Sequence, residues 1–156
     1  MMTFALVLCA YADTDTDTDK AEESKKISIG IGPEWNMNSR ENFALGGVFT
    51  FNINFASIFA AGINVTVSYN FSSIIVIEPA ALFRWYFLGS NYNGWFLQTD
   101  LGAFLVLEEE HIVPVFTGSL KGGIRLPFGE TFFIEPYGRI GYPFMFGIGV
   151  LAGVKF

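Results

Sequence analysis

From Ile27 to Phe156 the side chains alternate between apolar and polar with a period of two. The clearest segments are Phe49-Thr-Phe-Asn-Ile-Asn-Phe55 and Ile63-Asn-Val-Thr-Val-Ser-Tyr-Asn-Phe71. Successive side chains of a strand point to opposite faces, so each segment has one apolar and one polar face. Turn chemistry interrupts the pattern at 36–42, 56–59, 70–73, 88–94, 108–111, 127–131 and around Tyr142-Pro143. Eight strands result, over 27–36, 43–55, 60–71, 74–87, 94–108, 112–126, 131–142 and 144–156. Most exceed the ~5–6 residues of ordinary globular strands and reach the ~9–11 that cross a bilayer at a tilt.

The charges decide which environment each face meets. Glu34, Glu78, Arg84, Asp100, Glu108, Lys121, Arg125, Glu135, Arg139 and Lys155 all fall on the polar face, five acids against five bases. In each of the four strands that carry two charges the pair shares a face, which chance gives about one time in sixteen for a two-face alternation. The opposite face is mostly apolar and carries no charged residue, and it includes Pro79 in Ile74-Ile-Val-Ile-Glu-Pro-Ala-Ala-Leu-Phe-Arg-Trp-Tyr-Phe87. A soluble barrel hides its apolar face inside, whereas a membrane barrel turns it to lipid and closes on itself to satisfy every backbone hydrogen bond. The charge-bearing face here is therefore the inside of an eight-stranded antiparallel up-and-down transmembrane β-barrel over 27–156. Pro79 faces lipid and costs one ladder bond, which predicts a bulge or strand end beside it.

Composition agrees. Charged residues are 15% of the 156 residues, against about 25% in ordinary soluble domains. The net charge of −6 argues against a nucleic-acid partner. No run reaches the ~18 apolar residues of a membrane helix. Aromatics group near strand ends: Trp35, Phe43, Tyr69, Phe71, Tyr142 and Phe144 at one rim, and Trp85, Phe87, Trp95, Phe128, Phe132 and Phe156 at the other. Two such girdles are how barrels sit at the headgroup levels.

Ahead of the barrel, the apolar run Phe4–Ala12 ends in Ala10-Tyr11-Ala12, the form of a signal-peptide core and cleavage site. Residues 1–12 are expected to be that leader, without its basic start, as a downstream start codon would leave it. The competing readings are a lipoprotein signal acylated on Cys9, against which bulky Leu8 argues, and a plain tail. Residues 13–26, alternating Asp and Thr and then charged, are too polar to bury surface and are expected to be a disordered acidic linker.

The strand pattern and its ending, Phe144, Phe146, Ile148, Val150, Ala152, Val154 and Phe156, resemble the small eight-stranded outer-membrane barrels of bacteria, the group of outer membrane proteins X and W and the membrane domain of outer membrane protein A. The likeness covers Ile27–Phe156. It implies an outer-membrane location, contacts with outer-membrane lipids, a monomer, and a C-terminal strand ending in Phe156 that the assembly machinery reads. The sequence departs from the group at Val154, Leu151 and in its short loops, which weakens a surface-adhesin role.

Chemistry finds little purchase. His111 follows Glu108-Glu-Glu110, a thin basis for a metal site, and a hydrolase needs its histidine on a strand beside a serine, whereas His111 reads as a loop residue. No cofactor and no enzymatic activity are expected. The inward charges could pair across strands and fill the lumen, or line a narrow channel for small, hydrophobic solutes. Glu78 and Arg84 lie about 20 Å apart along one strand at ~3.3 Å per residue, so their partners are expected on neighbouring strands: Arg84 near Gln98 and Asp100, and Glu135 between Lys121 and Arg125. Eight-stranded barrels are just wide enough for side chains to fill, which favours a closed, structural envelope protein.

Overall fold

A computed structural model describes residues 27–37, 43–56, 58–70, 74–88, 92–108, 111–142 and 144–156, with backbone alone at 56, 70, 74, 106–108 and 111–114. The expected leader and linker, with Cys9, and the rim residue Phe71 lie outside the described residues, as do the side chains of Glu108 and His111. Eight strands form: β1 Ile27–Met37, β2 Phe43–Ala56, β3 Phe59–Asn70, β4 Ile74–Leu88, β5 Gly94–Glu108, β6 His111–Phe128, β7 Phe132–Tyr142 and β8 Phe146–Lys155. Each pairs antiparallel with the next and β8 pairs with β1, so the sheet is a closed barrel without an edge. Connections of two to five residues join the strands, as hairpins require.

The barrel has a terminal rim, where Ile27 and Phe156 lie together, and a distal rim at the other strand ends. The chain ends are tied: Phe156 N donates to Ile27 O at 2.8 Å, and Ile27 N donates to Phe156 O at 3.3 Å. Gly129, with φ 64, turns β6 into β7 at the terminal rim.

The period of two decides burial. Along β1, Ser28, Gly30, Glu34 and Asn36 are buried, while Ile27, Ile31, Pro33 and Trp35 are exposed. Ile31 is 66% exposed and Phe116 on β6 is 70% exposed. The core is the lumen, where Val48, Ala60, Tyr86, Tyr92, Phe96, Tyr137 and Leu151 form one buried cluster.

Three differences from the sequence reading have physical causes. His111 begins β6, because it pairs with Glu108 across a two-residue connection, so it is not a loop residue. Phe144 is buried and is no part of a girdle, since β8 begins only at Phe146 and the alternation does not extend back to it. Pro79 causes no bulge. The β4–β5 ladder lapses at Glu78 and Pro79 but resumes in the same register, with Ile77 opposite Leu105 and Ala80 opposite Gly102. Pro33 and Pro136 likewise leave gaps, in β8–β1 and β6–β7, without shifting register. A missing N–H removes one bond, while pairing on both sides of the gap holds the strands in step.

Candidate functional site

The lumen is where the unusual side chains meet. Inward parity on β4 to β7 buries Glu78, Arg84, Tyr86, Phe96, Gln98, Asp100, Lys121, Arg125, Phe133, Glu135, Tyr137 and Arg139. Charges this deep need partners, because an isolated ion loses its hydration without replacement. They find them in two layers.

Toward the terminal rim, Glu135 on β7 receives Arg84 Nη1 from β4 at 2.7 Å and Arg125 Nε from β6. Arg84 also donates to Gln98 Oε1, from Nε at 2.8 Å, and Gln98 passes the chain on to Asp100 at 2.6 Å. Both guanidiniums lie over aromatic rings: Arg84 is 4.2 Å from the Phe96 centroid and Arg125 4.0 Å from that of Phe133. Such stacking is favourable where water is excluded.

Toward the distal rim, Arg139 bridges Glu34 on β1 at 2.9 Å and Glu78 on β4 at 2.5 Å. Lys121 reaches Asp100 at 3.2 Å, Glu34 at 3.7 Å and Asn64 Oδ1 at 3.1 Å. Tyr137 donates its hydroxyl to Glu34 at 2.6 Å, and Asn36 Nδ2 donates to Glu34 at 2.9 Å. The first layer sets two cations against one carboxylate, and the second two cations against three, so the excess charges are opposite and cancel along the axis. Lys155 lies apart at the terminal rim, donating to Asn93 Oδ1 at 3.0 Å.

The expectation that partners sit on neighbouring strands holds only in part. Arg84 meets Gln98, and Arg125 meets Glu135, across adjacent strands. Lys121 does not bond Glu135; it turns to Asp100 and Glu34. Arg84–Glu135, Arg139–Glu78, Arg139–Glu34 and Lys121–Glu34 join strands that are not neighbours, so they cross the lumen. Long side chains reach the far wall of so narrow a barrel as easily as the next strand.

The inward aromatics Tyr86, Phe96, Phe133 and Tyr137 were missed in the sequence, although each lies two residues from an inward polar or charged residue. Small residues opposite make room for them. A Cβ on Gly149 would lie 2.5 Å from the ring carbon bearing the Tyr137 hydroxyl, and one on Gly153 would meet the Phe133 ring.

On the outside, Trp35, Phe43, Tyr69 and Tyr142 are exposed near the distal rim, and Trp85, Phe87, Trp95, Phe128, Phe132 and Phe156 near the terminal rim. Trp35 packs on Phe43 at 5.8 Å and Trp85 on Phe87 at 5.6 Å between centroids. Between the rims, a recess of about 630 Å³ lies over the paired Gly122 and Gly138, flanked by Trp95 and Trp35. Among the described residues, no three His, Cys, Asp or Glu side chains gather as a metal site.

No protein-family model matches the sequence, and no curated protein matches it. Solved structures do. The N-terminal β-barrel domain of Pseudomonas aeruginosa OprF is similar with a TM-score of 0.55 at 11% identity, covering 83% of this chain and 97% of that one. A transmembrane β-barrel designed de novo is similar with a TM-score of 0.52 at 8% identity, covering 83% of this chain and 95% of that one. At such identities the likeness is one of fold: this is an eight-stranded antiparallel barrel of the outer-membrane type.

Proposed function

We propose that this chain is an integral protein of a bacterial outer membrane, monomeric and held by outer-membrane lipids, whose barrel is closed and serves as a structural, surface-exposed part of the envelope. The observation that carries the closed reading is the set of ion pairs across the lumen. Arg84–Glu135 and Arg139 with Glu34 and Glu78 occupy the axis at two heights, and the rings of Tyr86, Phe96, Phe133 and Tyr137 fill the space around them. An ion in transit would have to displace a paired, desolvated charge, whose removal from its partner costs several kcal/mol.

Membrane placement is supported by the outer face. More than thirty large apolar side chains among the described residues are exposed. In water each would forgo roughly half of the ~1.5–3 kcal/mol that full burial brings, a total that is large beside the stability of a small domain. Lipid supplies the missing burial, and the aromatics at the two rims suit the headgroup levels. Phe156, exposed at the end of the last strand, is the residue through which the assembly machinery would read the chain.

Planar-bilayer recording tests the closed reading. The refolded protein should show no discrete conductance, and liposomes carrying it should not swell in small solutes. Steady conductance would replace this reading with that of a narrow channel for small, hydrophobic solutes. A stable monomer in detergent-free buffer would end the membrane placement itself.

A further inference from the structure

We infer that Tyr92 and Asn93, the two residues that lead into β5, are a stopper seated in the terminal mouth of the barrel, with Tyr92 as the plug and Asn93 as the latch. Tyr92 is the only non-glycine among the described residues with a positive φ, at 58°. Asparagine takes this left-handed conformation far more readily than a bulky residue, and Asn91 and Asn93 flank Tyr92 in the sequence. A turn at a barrel rim would ordinarily leave its side chains in solvent. Tyr92 is instead 6% exposed.

Its ring meets Tyr86 edge-on at 6.1 Å and joins the cluster that includes Val48 on β2, Ala60 on β3 and Phe96 on β5. Tyr92 is thus packed on an inward side chain of β4 and belongs to a buried cluster drawn from several strands. Asn93 accepts a hydrogen bond from Lys155 Nζ on β8 at 3.0 Å, a fastening between the turn and a strand that is no neighbour of β4 or β5. The Tyr86 hydroxyl accepts from Arg84 Nη1 at 3.2 Å, so the ring of Tyr92 packs on the residue that joins the turn side of the lumen to the layer holding Arg84, Arg125 and Glu135. Backbone strain that persists because packing holds it, at the entrance to a polar interior, marks a device rather than a passive turn.

The device is distinct from the charged layers that close the lumen, and the two can fail separately. Ala60 is fully buried in the cluster that includes Tyr92 and can report on the mouth as Ala60→Cys in a Cys9→Ser background. The probe is methyl methanethiosulfonate, with labelling followed by mass spectrometry on the detergent-refolded barrel. The thiol should react slowly when Tyr92 is present. Tyr92→Gly, which accepts the same φ, should speed labelling by roughly tenfold or more, as local opening exposes the site. Tyr92→Phe should stay slow, and Asn93→Ala should lie between. Fast labelling with Tyr92 in place, or unchanged labelling in both Tyr92→Gly and Asn93→Ala, overturns the stopper. If Tyr92→Gly does not fold, Asn93→Ala decides alone: faster labelling supports the latch and an unchanged rate refutes it. Conductance should remain absent in every variant. If Tyr92→Gly labels fast and also conducts, the stopper stands and the closed reading of the charged layers falls.

Discussion

The two halves of the lumen wall are built from different side chains. On β8, β1, β2 and β3 the inward positions are mostly small or neutral: Ser28, Gly30, Thr50, Asn52, Ala60, Thr66, Ser68, Gly149 and Gly153, with Glu34 and Lys155 the charged exceptions. On β4 to β7 most of the long, charged and aromatic ones gather, from Arg84 and Tyr86 through Phe96 and Arg125 to Glu135 and Arg139, with Ala80, Leu82, Thr117 and Ser119 among the smaller or neutral exceptions. A barrel this narrow cannot hold long side chains on both halves. One half supplies reach and charge, and the other supplies room and neutral hydrogen-bonding groups, as where Lys121 meets Asn64 and Arg125 meets Ser28. Stability should accordingly be concentrated in the ion pairs of the crowded half and, on the open half, in keeping its glycines small.

The strongest way to break this asymmetry is Glu135→Leu. It leaves Arg84 and Arg125 as two buried like charges without their shared carboxylate. The expected loss is ~3–5 kcal/mol, read from urea unfolding in lipid vesicles. A loss under 1 kcal/mol would mean that other groups or water take over the carboxylate's role.

Phe156 lies outside both halves and is 61% exposed. Phe156→Ala should cost the refolded barrel at most ~2–3 kcal/mol, since the paired backbone groups of Phe156 and Ile27 are kept. In cells the inserted amount should fall sharply. Parallel losses in both assays would make Phe156 a stability residue, and no loss in either would make it an ordinary strand end.

Gly149→Ala sharpens the comparison from the open half. Its Cβ would press on the Tyr137 ring, at a cost of about 1–3 kcal/mol. In a Tyr137→Ala background the same change should cost nothing further, which a double-mutant cycle measures. Equal costs in both backgrounds would mean that the glycine serves the backbone rather than the ring.

The smallest effect belongs to Gly122→Ala. Gly122 faces outward, and a Cβ there would meet no described atom within 4 Å. The change should be neutral or stabilising by about 0.4–1 kcal/mol through the unfolded chain. A clear loss of stability would show that the outer recess at Gly122 and Gly138 needs its depth.

The fold and the sidedness of the residues were legible in the sequence, because both are local. Which face a strand residue occupies follows from its parity with its neighbours, so the apolar outer face and the inward charges from Glu34 to Lys155, Glu108 aside, could be sorted without knowing any strand's partner. Phe144 escaped that logic because it lies in a turn, where parity carries no information, and Tyr92 is buried from a turn for the same reason. The partners themselves were decided by closure. Bringing β8 onto β1 sets Arg139 against Glu34 and Glu78, Arg84 against Glu135, and Phe156 against Ile27. Parity specifies only a face, whereas contact across a lumen depends on barrel width, register and side-chain reach together, and these exist only once the sheet has closed.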